Sequence, residues 1–478
     1  MKTIAYDLVV LGAGSGGYAA ARTARDLGAK VALVDHGPLG GLCILRGCMP
    51  SKAFLASSDA LHGVKDSRAL GVRIDGKISY DMPFILERKR VLVKEFADYR
   101  IEGIETFPLY QGHASFISDG VVQVDEEVQL RSKSFIVATG SSVAPAHIPG
   151  LEEVGYLDSD SVLELDSIPS SVAVLGGGYT ACELGQFLAR MGAKTTILIR
   201  SGHLLTSSDD DVGDALTSYF REDGIHVIAH THVTRVEKRG SRKVVHYTVE
   251  GERLELVVEE IFFAQGRVPN VKGLGLGMAG VNYDPVQGVT VDLTLRTNQP
   301  HIFAIGDVTG DYALVHVAIY QGEIAARNAV TGTNEEADYR LMSAHTIFSE
   351  PQVAHVGMSE KDLKRAGIEY CVGKYDFAEH GKAMVLGTTR GFVKMMSRIV
   401  TGEILGATVI GPQASELIHE VIVAMTYNAT VEQFMRIPHL HPTLSEIWTY
   451  PAEECAVQCG LRQPVDQMME LATSGGAD

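Results

Sequence analysis

No basic run long enough to neutralise a row of phosphates occurs in this sequence, and 59 acidic residues against 42 basic ones leave a formal charge of −17 over 478 residues. Nucleic acid is thereby excluded as a natural partner. No apolar run reaches the ~18 residues of a membrane span, and Asp7 interrupts the apolar stretch behind Lys2 that would otherwise resemble a signal peptide; Leu8 to Leu11 reads as a buried strand. Cysteine is scarce. Six residues cannot staple a secreted scaffold of this length, and none has the second CxxC or His pair of a metal site. The expected compartment is the cytoplasm. Proline is also sparse, 16 residues beside 50 glycines. A tenth of the chain as glycine, against a usual ~7 %, excludes a disordered linker and predicts sharp turns and close backbone approaches to ligands in an α/β fold. At ~150 residues per domain, about three domains are expected.

An internal repeat organises the chain. From Tyr6 it reads YDLVVLGAGSGGYAAARTARDLGAKVALVD, and from Ser171 SVAVLGGGYTACELGQFLARMGAKTTILIR. Each is an apolar strand, a glycine-rich turn, an alanine-bearing helix closed by GAK, and a second apolar strand. Gly12 and Asp35 are 23 residues apart and Gly176 and Arg200 are 24 apart, the span of a βαβ dinucleotide-binding unit. One such turn is weak evidence; two in this context are strong. The first glycine makes the turn, the second admits a pyrophosphate to the backbone N–H groups, and the helix N-terminus adds partial positive charge. Strand-like segments end in IVATGS (136–141), FFAQGRVPN (262–270) and HIFAIGDVTG (301–310). Beyond about His345, GFVKMM, GEILGATVI and SELIHEVIVAMTYNA predict an antiparallel sheet with a helix.

Residues 40–52 read GGLCILRGCMPSK. Cys43 and Cys48 are five apart, which in a regular helix separates their Cα atoms by roughly 8 Å, beyond the ~7 Å limit for a disulfide. If they pair, the helix must be interrupted, and Gly47 would permit that. Otherwise they are two unrelated core cysteines. Near the other end lies His439-Leu-His441-Pro-Thr-Leu-Ser-Glu446. Pro442 disfavours helix at His441, and Thr443-x-x-Glu446 fits a capping box that alone would account for Glu446.

Two dinucleotide turns, CxxxxC with PSK, ATG, AQGRVPN, GD and HPTLSE together resemble the FAD-dependent pyridine nucleotide–disulfide oxidoreductases, which include dihydrolipoamide dehydrogenase, glutathione reductase and mercuric reductase. The resemblance runs from Tyr6 to about Glu446. It implies two Rossmann-like units and a C-terminal α+β dimerisation domain, with residues 1–147 and 276–345 forming the FAD unit, 148–275 the NAD(P) unit and 346–478 the dimerisation domain. Gly12, Gly14 and Gly17 would hold the FAD pyrophosphate, Asp35 the adenosine ribose, and Asp307, after Gly306, the ribityl or phosphate region. Thr139 and Gly140 of ATG, and Gly266 and Arg267 of QGR, would complete the cofactor surroundings. Cys48 would face the flavin as the charge-transfer thiolate and Cys43 would exchange with substrate. Lys52 would sit near the flavin paired with Glu183, and His441 would act as acid/base oriented by Glu446, the pair coming from the partner of a homodimer. No metal is implied.

Departures from the common pattern concern cofactor and substrate. The second unit, with Gly176, Gly178 and Tyr179 at its turn, ends in Arg200 where an NAD enzyme has a carboxylate. Arginine suits a 2′-phosphate and favours NADPH over NADH, although Thr206 stands where glutathione reductases carry a further arginine. Tyr179 resembles the tyrosine over the nicotinamide pocket of glutathione reductases. Leu42 and Leu45 replace a threonine and an asparagine beside the redox pair, which fits either a lipoyl approach or a repacked core. Cys455 and Cys459, four apart, suggest an accessory thiol pair, whereas Cys182 and Cys371 read as small core residues. The expected activity is dithiol/disulfide exchange coupled to NAD(P), with a small thiol or a lipoyl-bearing protein as substrate. The alternatives are an NADPH-dependent disulfide reductase of glutathione or mercuric reductase type and, from another class, a flavin-binding redox sensor or complex subunit.

Overall fold

The computed structural model describes residues 2–462. The strand Lys2–Leu11 lies at the centre of a seven-stranded sheet, with Val31–Asp35 and Leu109–Gln111 on one side and Val128–Val137, Val121–Val124 and Ala114–Ser118 on the other. Its apolar run is buried on both faces, as a parallel central strand requires: Val9 and Leu11 join one core, Leu8 and Val10 another. The helix Ser15–Asp26 makes the crossover to Val31–Asp35. Far along the chain, Ile302–Ala304 pairs in parallel with Phe135–Val137, and the following helix Val315–Thr331 packs on Ser15–Asp26. The two helices touch through glycine. A Cβ on Gly16 would lie 2.8 Å from the Ala318 carbonyl oxygen, and one on Gly322 2.4 Å from that of Gly16.

The second repeat forms a four-stranded parallel sheet in the order His226–Ile228, Lys194–Leu198, Ser171–Leu175, Glu260–Phe263. Val172 and Val174 pack toward Leu184 and Phe187 of the helix Tyr179–Arg190, while Ala173 and Leu175 pack under a three-stranded antiparallel sheet spanning 231–258. Ala181 stands where the first unit has Gly17, and it is fully buried.

The C-terminal part is a five-stranded sheet ordered His345–Ile347, Gln352–Gly357, Ile404–Gly411, Phe392–Arg398, Tyr370–Asp376, with every neighbouring pair antiparallel. Ala414–Thr426 packs against it, and Thr449–Gln458 covers the edge strand. The single tryptophan, Trp448, is fully buried and donates from Nε1 to the Leu417 carbonyl at 3.0 Å. Lys394 in this sheet is 1 % exposed and holds Asp209 (2.8 Å), Asp211 (2.9 Å) and Glu360 (3.0 Å), tying the second unit to the C-terminal part. A buried ammonium needs such partners, because removing them leaves an uncompensated charge. The architecture is thus α/β, two Rossmann-like units followed by an α+β domain. Residues 463–478 of the expected C-terminal segment lie outside the described residues, among which no helix is long and apolar enough to cross a membrane.

Candidate active site

The CxxxxC segment is not one helix. Gly41–Arg46 and Cys48–Asp66 are separate helices broken at Gly47, whose φ and ψ are −125° and −112°. A Cβ there would lie 3.1 Å from the Leu42 carbonyl oxygen and 3.2 Å from the Cys43 Cα, so the break is tight as well as irregular. It removes the spacing objection to pairing and brings the two thiols into hydrogen-bonding contact. The hydrogen bond from Cys43 draws the Cys48 thiol down to about 7; burial opposes this and Lys52 adds to it. The same contact, with burial, pushes Cys43 far up. Of the two, Cys48 is therefore the thiol that ionises first and Cys43 the one that keeps its proton. Ultraviolet thiolate absorbance of the reduced protein is expected to rise as pH increases through about 7, to shift to higher pH in Lys52→Met, and to vanish in Cys48→Ser; persistence in Cys48→Ser would assign the thiolate elsewhere.

One helical turn beyond Cys48, and so on the same face, Lys52 Nζ meets Glu183 Oε2 at 2.7 Å. Glu183 is 9 % exposed, and its Oε1 accepts from the Phe348 N–H at 2.9 Å, while Lys52 Nζ lies 4.5 Å above the Phe348 ring. Gln186 reads the same hairpin through Glu350, donating to its carbonyl at 2.7 Å and accepting from its N–H at 2.8 Å. Four residues before Glu183, Tyr179 stacks on His345, with centroids 5.5 Å apart and planes at 17°. Phe348, Gln186 and His345 were not legible as site residues. Phe348 acts through its backbone, and His345 belongs to a strand with no motif.

The dinucleotide turns fit their groups. A Cβ on Gly12 would fall 2.2 Å from the Ala138 oxygen and one on Gly17 1.9 Å from the Gly12 oxygen, so neither position admits a side chain. Gly14 begins its helix with no side-chain cap, as does Gly178 at the second turn, leaving both sets of helix N–H groups free for a phosphate. Gly176 repeats the closure, its Cβ position 2.4 Å from the Ala264 oxygen. Asp35 accepts from the N–H groups of Ala13 and Gly37, each at 2.7 Å, which holds the carboxylate over the first turn. Asp307 accepts from Ser141 Oγ at 2.6 Å, and Arg267 donates to that same Oγ at 3.0 Å and to the Ser141 carbonyl at 2.9 Å. Thr139 and Asn270 exchange two hydrogen bonds (2.8 and 2.9 Å) beside Gly140, and the Gly306 N–H reaches Gln321 at 2.7 Å. Gly140 and Gly266 take positive φ, 71° and 104°. Arg200 is exposed two residues beyond the strand Lys194–Leu198 and has no acidic partner among the described residues.

His441 is not brought to the cysteines within one chain. Its Nδ1 lies 3.0 Å from Glu446 Oε2, the imidazole 81 % exposed and the carboxylate 15 %. The capping-box reading fails: Thr443 Oγ1 donates to the Leu440 carbonyl, and the short helix Ser445–Trp448 has no side-chain cap. Glu446 has a second neighbour. His380, 1 % exposed and with no hydrogen-bond partner on either ring nitrogen among the described residues, sits with Nε2 3.6 Å from Glu446 Oε1, and burial lowers its pKa. No motif marks His380. His439 pairs with Glu420 and stays outside this arrangement. The other thiols also differ from expectation. Cys182 is a core residue, but Cys455 does not face Cys459: its thiol donates to the Met395 carbonyl at 3.3 Å, and Cys459 approaches Cys371 instead.

Two nucleotide cradles flanking a dithiol define a flavoprotein disulfide oxidoreductase. Residues 6–322 match the family model described as pyridine nucleotide-disulphide oxidoreductase, and residues 343–452 match its dimerisation domain. The chain belongs to this family. It is 36 % identical over 457 residues to a dihydrolipoyl dehydrogenase of Chlamydia muridarum, covering 94 % of this chain and 96 % of the relative. Identity to a mercuric reductase of Bacillus cereus is 32 %, covering 92 % of this chain and 70 % of that protein. The HOCl-induced flavoprotein disulfide reductase RclA from Escherichia coli superposes with a TM-score of 0.83 at 25 % identity, covering 94 % and 99 % of the two chains.

Proposed function

We propose that this enzyme is a cytoplasmic homodimer passing electrons between a dihydrolipoamide-like dithiol and NAD(P) through the Cys43–Cys48 pair, with NADPH preferred. The observation that carries the reading is the His441–Glu446 hydrogen bond on a solvent-exposed turn. A base held by one nitrogen through Glu446 keeps Nε2 for a substrate thiol, and its exposure suits completion of the site across two subunits. The deprotonated substrate sulfur attacks Cys43 Sγ of the oxidised pair, the S–S bond breaks, and Cys48 leaves as the thiolate that Lys52 stabilises. The second substrate thiol then attacks the mixed disulfide, releasing Cys43 and the oxidised substrate. FAD, bound in the Gly12–Gly17 cradle, supplies the two-electron relay to nicotinamide. The uncapped Gly178 turn and the exposed Arg200 guanidinium would hold the second dinucleotide, with Tyr179 beside them.

The test is turnover by the purified holoenzyme of dihydrolipoamide with NAD+ or NADP+, and of oxidised glutathione with NADH or NADPH. Dihydrolipoamide oxidation is the expected result; turnover of glutathione alone would shift the reading to a glutathione reductase type, which Arg200 and Tyr179 also fit, and turnover of neither would leave a redox sensor. Arg200→Glu is expected to lower the NADPH/NADH ratio of kcat/KM by roughly 10–100-fold, the value of a charge-assisted contact. An unchanged ratio would remove Arg200 from cofactor selection.

A further inference from the structure

A second pair of cysteines meets outside the Cys43–Cys48 site. Cys459, at the end of the helix Thr449–Gln458, places its Sγ 2.9 Å from the Sγ of Cys371 on the edge strand Tyr370–Asp376. Only about 0.9 Å of approach separates this contact from the ~2.05 Å of an S–S bond. The two differ in access: Cys371 is 4 % exposed, and Cys459 is only partly buried. Ser397 Oγ, itself fully buried, lies 3.5 Å from Cys459 Sγ, within reach to stabilise a thiolate there. Cys455 is turned into the core toward Met395 and takes no part.

We propose that Cys371 and Cys459 form a second, reversible dithiol/disulfide centre, distinct from Cys43–Cys48, that is oxidised by low-molecular-weight disulfides. The Cys459 thiolate attacks one sulfur of the external disulfide, giving a mixed disulfide and releasing one thiolate. Cys371 then attacks Cys459 Sγ, transferring its proton to the second leaving thiolate. Two protein thiols are oxidised and one external disulfide becomes two thiols. Burial pushes Cys371 up to about 12, with Cys459 adding to the shift, so Cys371 remains a resident resolving thiol and the accessible Cys459 is the entry point. The product ties the last described helix to the edge strand across 88 residues that include His380, His441 and Glu446. The centre therefore encloses the acid/base segment without touching it.

The test is thiol counting and non-reducing peptide mapping of the FAD-loaded protein after incubation with excess oxidised glutathione. With Cys43–Cys48 already oxidised, four of the six cysteines titrate at the start. The expected result is a fall to two, with a peptide linking Cys371 to Cys459. The fall should disappear in Cys459→Ser and persist in Cys455→Ser, Cys371→Ala should instead lose one thiol to a glutathione adduct trapped on Cys459, and dithiol turnover by Cys459→Ser before oxidation stays unchanged. In the protein with all six cysteines, four surviving thiols, a stable glutathione adduct on Cys459, or a Cys455–Cys459 link would each overturn the proposal. Should Cys371→Ala not fold, Cys459→Ser alone decides.

Discussion

Cys48→Ser is expected to lower dithiol/disulfide turnover by at least about 10⁴-fold, as loss of a covalent nucleophile does, while FAD stays bound and reduction of an artificial electron acceptor by NAD(P)H continues. The reason lies in the division of labour at the Gly47 break. With Cys48 an alcohol there is no protein disulfide for a substrate thiol to attack, and a Cys43 mixed disulfide formed from a disulfide substrate has no second sulfur to release it. Cys182 cannot substitute, being fully buried on another helix with its thiol pushed far up by desolvation. Steady-state assay and mass analysis of the trapped Cys43–substrate adduct check the result. Disulfide turnover at the natural rate in this variant would end the mechanism proposed above.

His441→Ala is expected to lower kcat for dithiol oxidation by about 10²–10⁴-fold, the usual worth of a positioned general base, again sparing the acceptor reaction. The loss should shrink as pH rises, because a substrate thiol that ionises unaided no longer needs the imidazole. Glu446→Gln should show a smaller loss with the same pH trend, since the imidazole remains but its Nδ1 loses a carboxylate partner that stabilises the protonated ring. A pH-independent loss in both variants would mean that the segment only shapes the interface.

The chemistry-bearing side chains were legible because their spacing along the chain is itself the chemistry: the glycine turns, CxxxxC, and the histidine five residues before Glu446. The interruption between Cys43 and Cys48 could be anticipated from Gly47 alone. Parts that act at long range were not. Glu183 reaches the Phe348 backbone 165 residues away, Ser141 bridges Asp307 and Arg267, and His380 backs Glu446. None has a local signature, since a backbone N–H or a lone serine is everywhere in a sequence and becomes part of a site only through topology. The cysteine pairing at the C-terminus was misread for the same reason. Helical spacing joined Cys455 to Cys459, whereas the helix faces an edge strand and Cys459, which caps its C-terminus, meets Cys371.

The late strand Ile302–Ala304, which completes the first sheet beside Phe135–Val137, also fixes an order of events during synthesis. At ~5–20 residues per second, a ribosome needs roughly 10–30 s to pass from Val137 to Ala304, and through that interval the edge of Val128–Val137 and the Gly16 face of the Ser15–Asp26 helix are uncovered. The second unit, contiguous from Ser171 to Phe263, completes its parallel sheet first. The second unit can thus close its sheet while the first still lacks its seventh strand, and the first sheet is complete only when about two-thirds of the chain has been made.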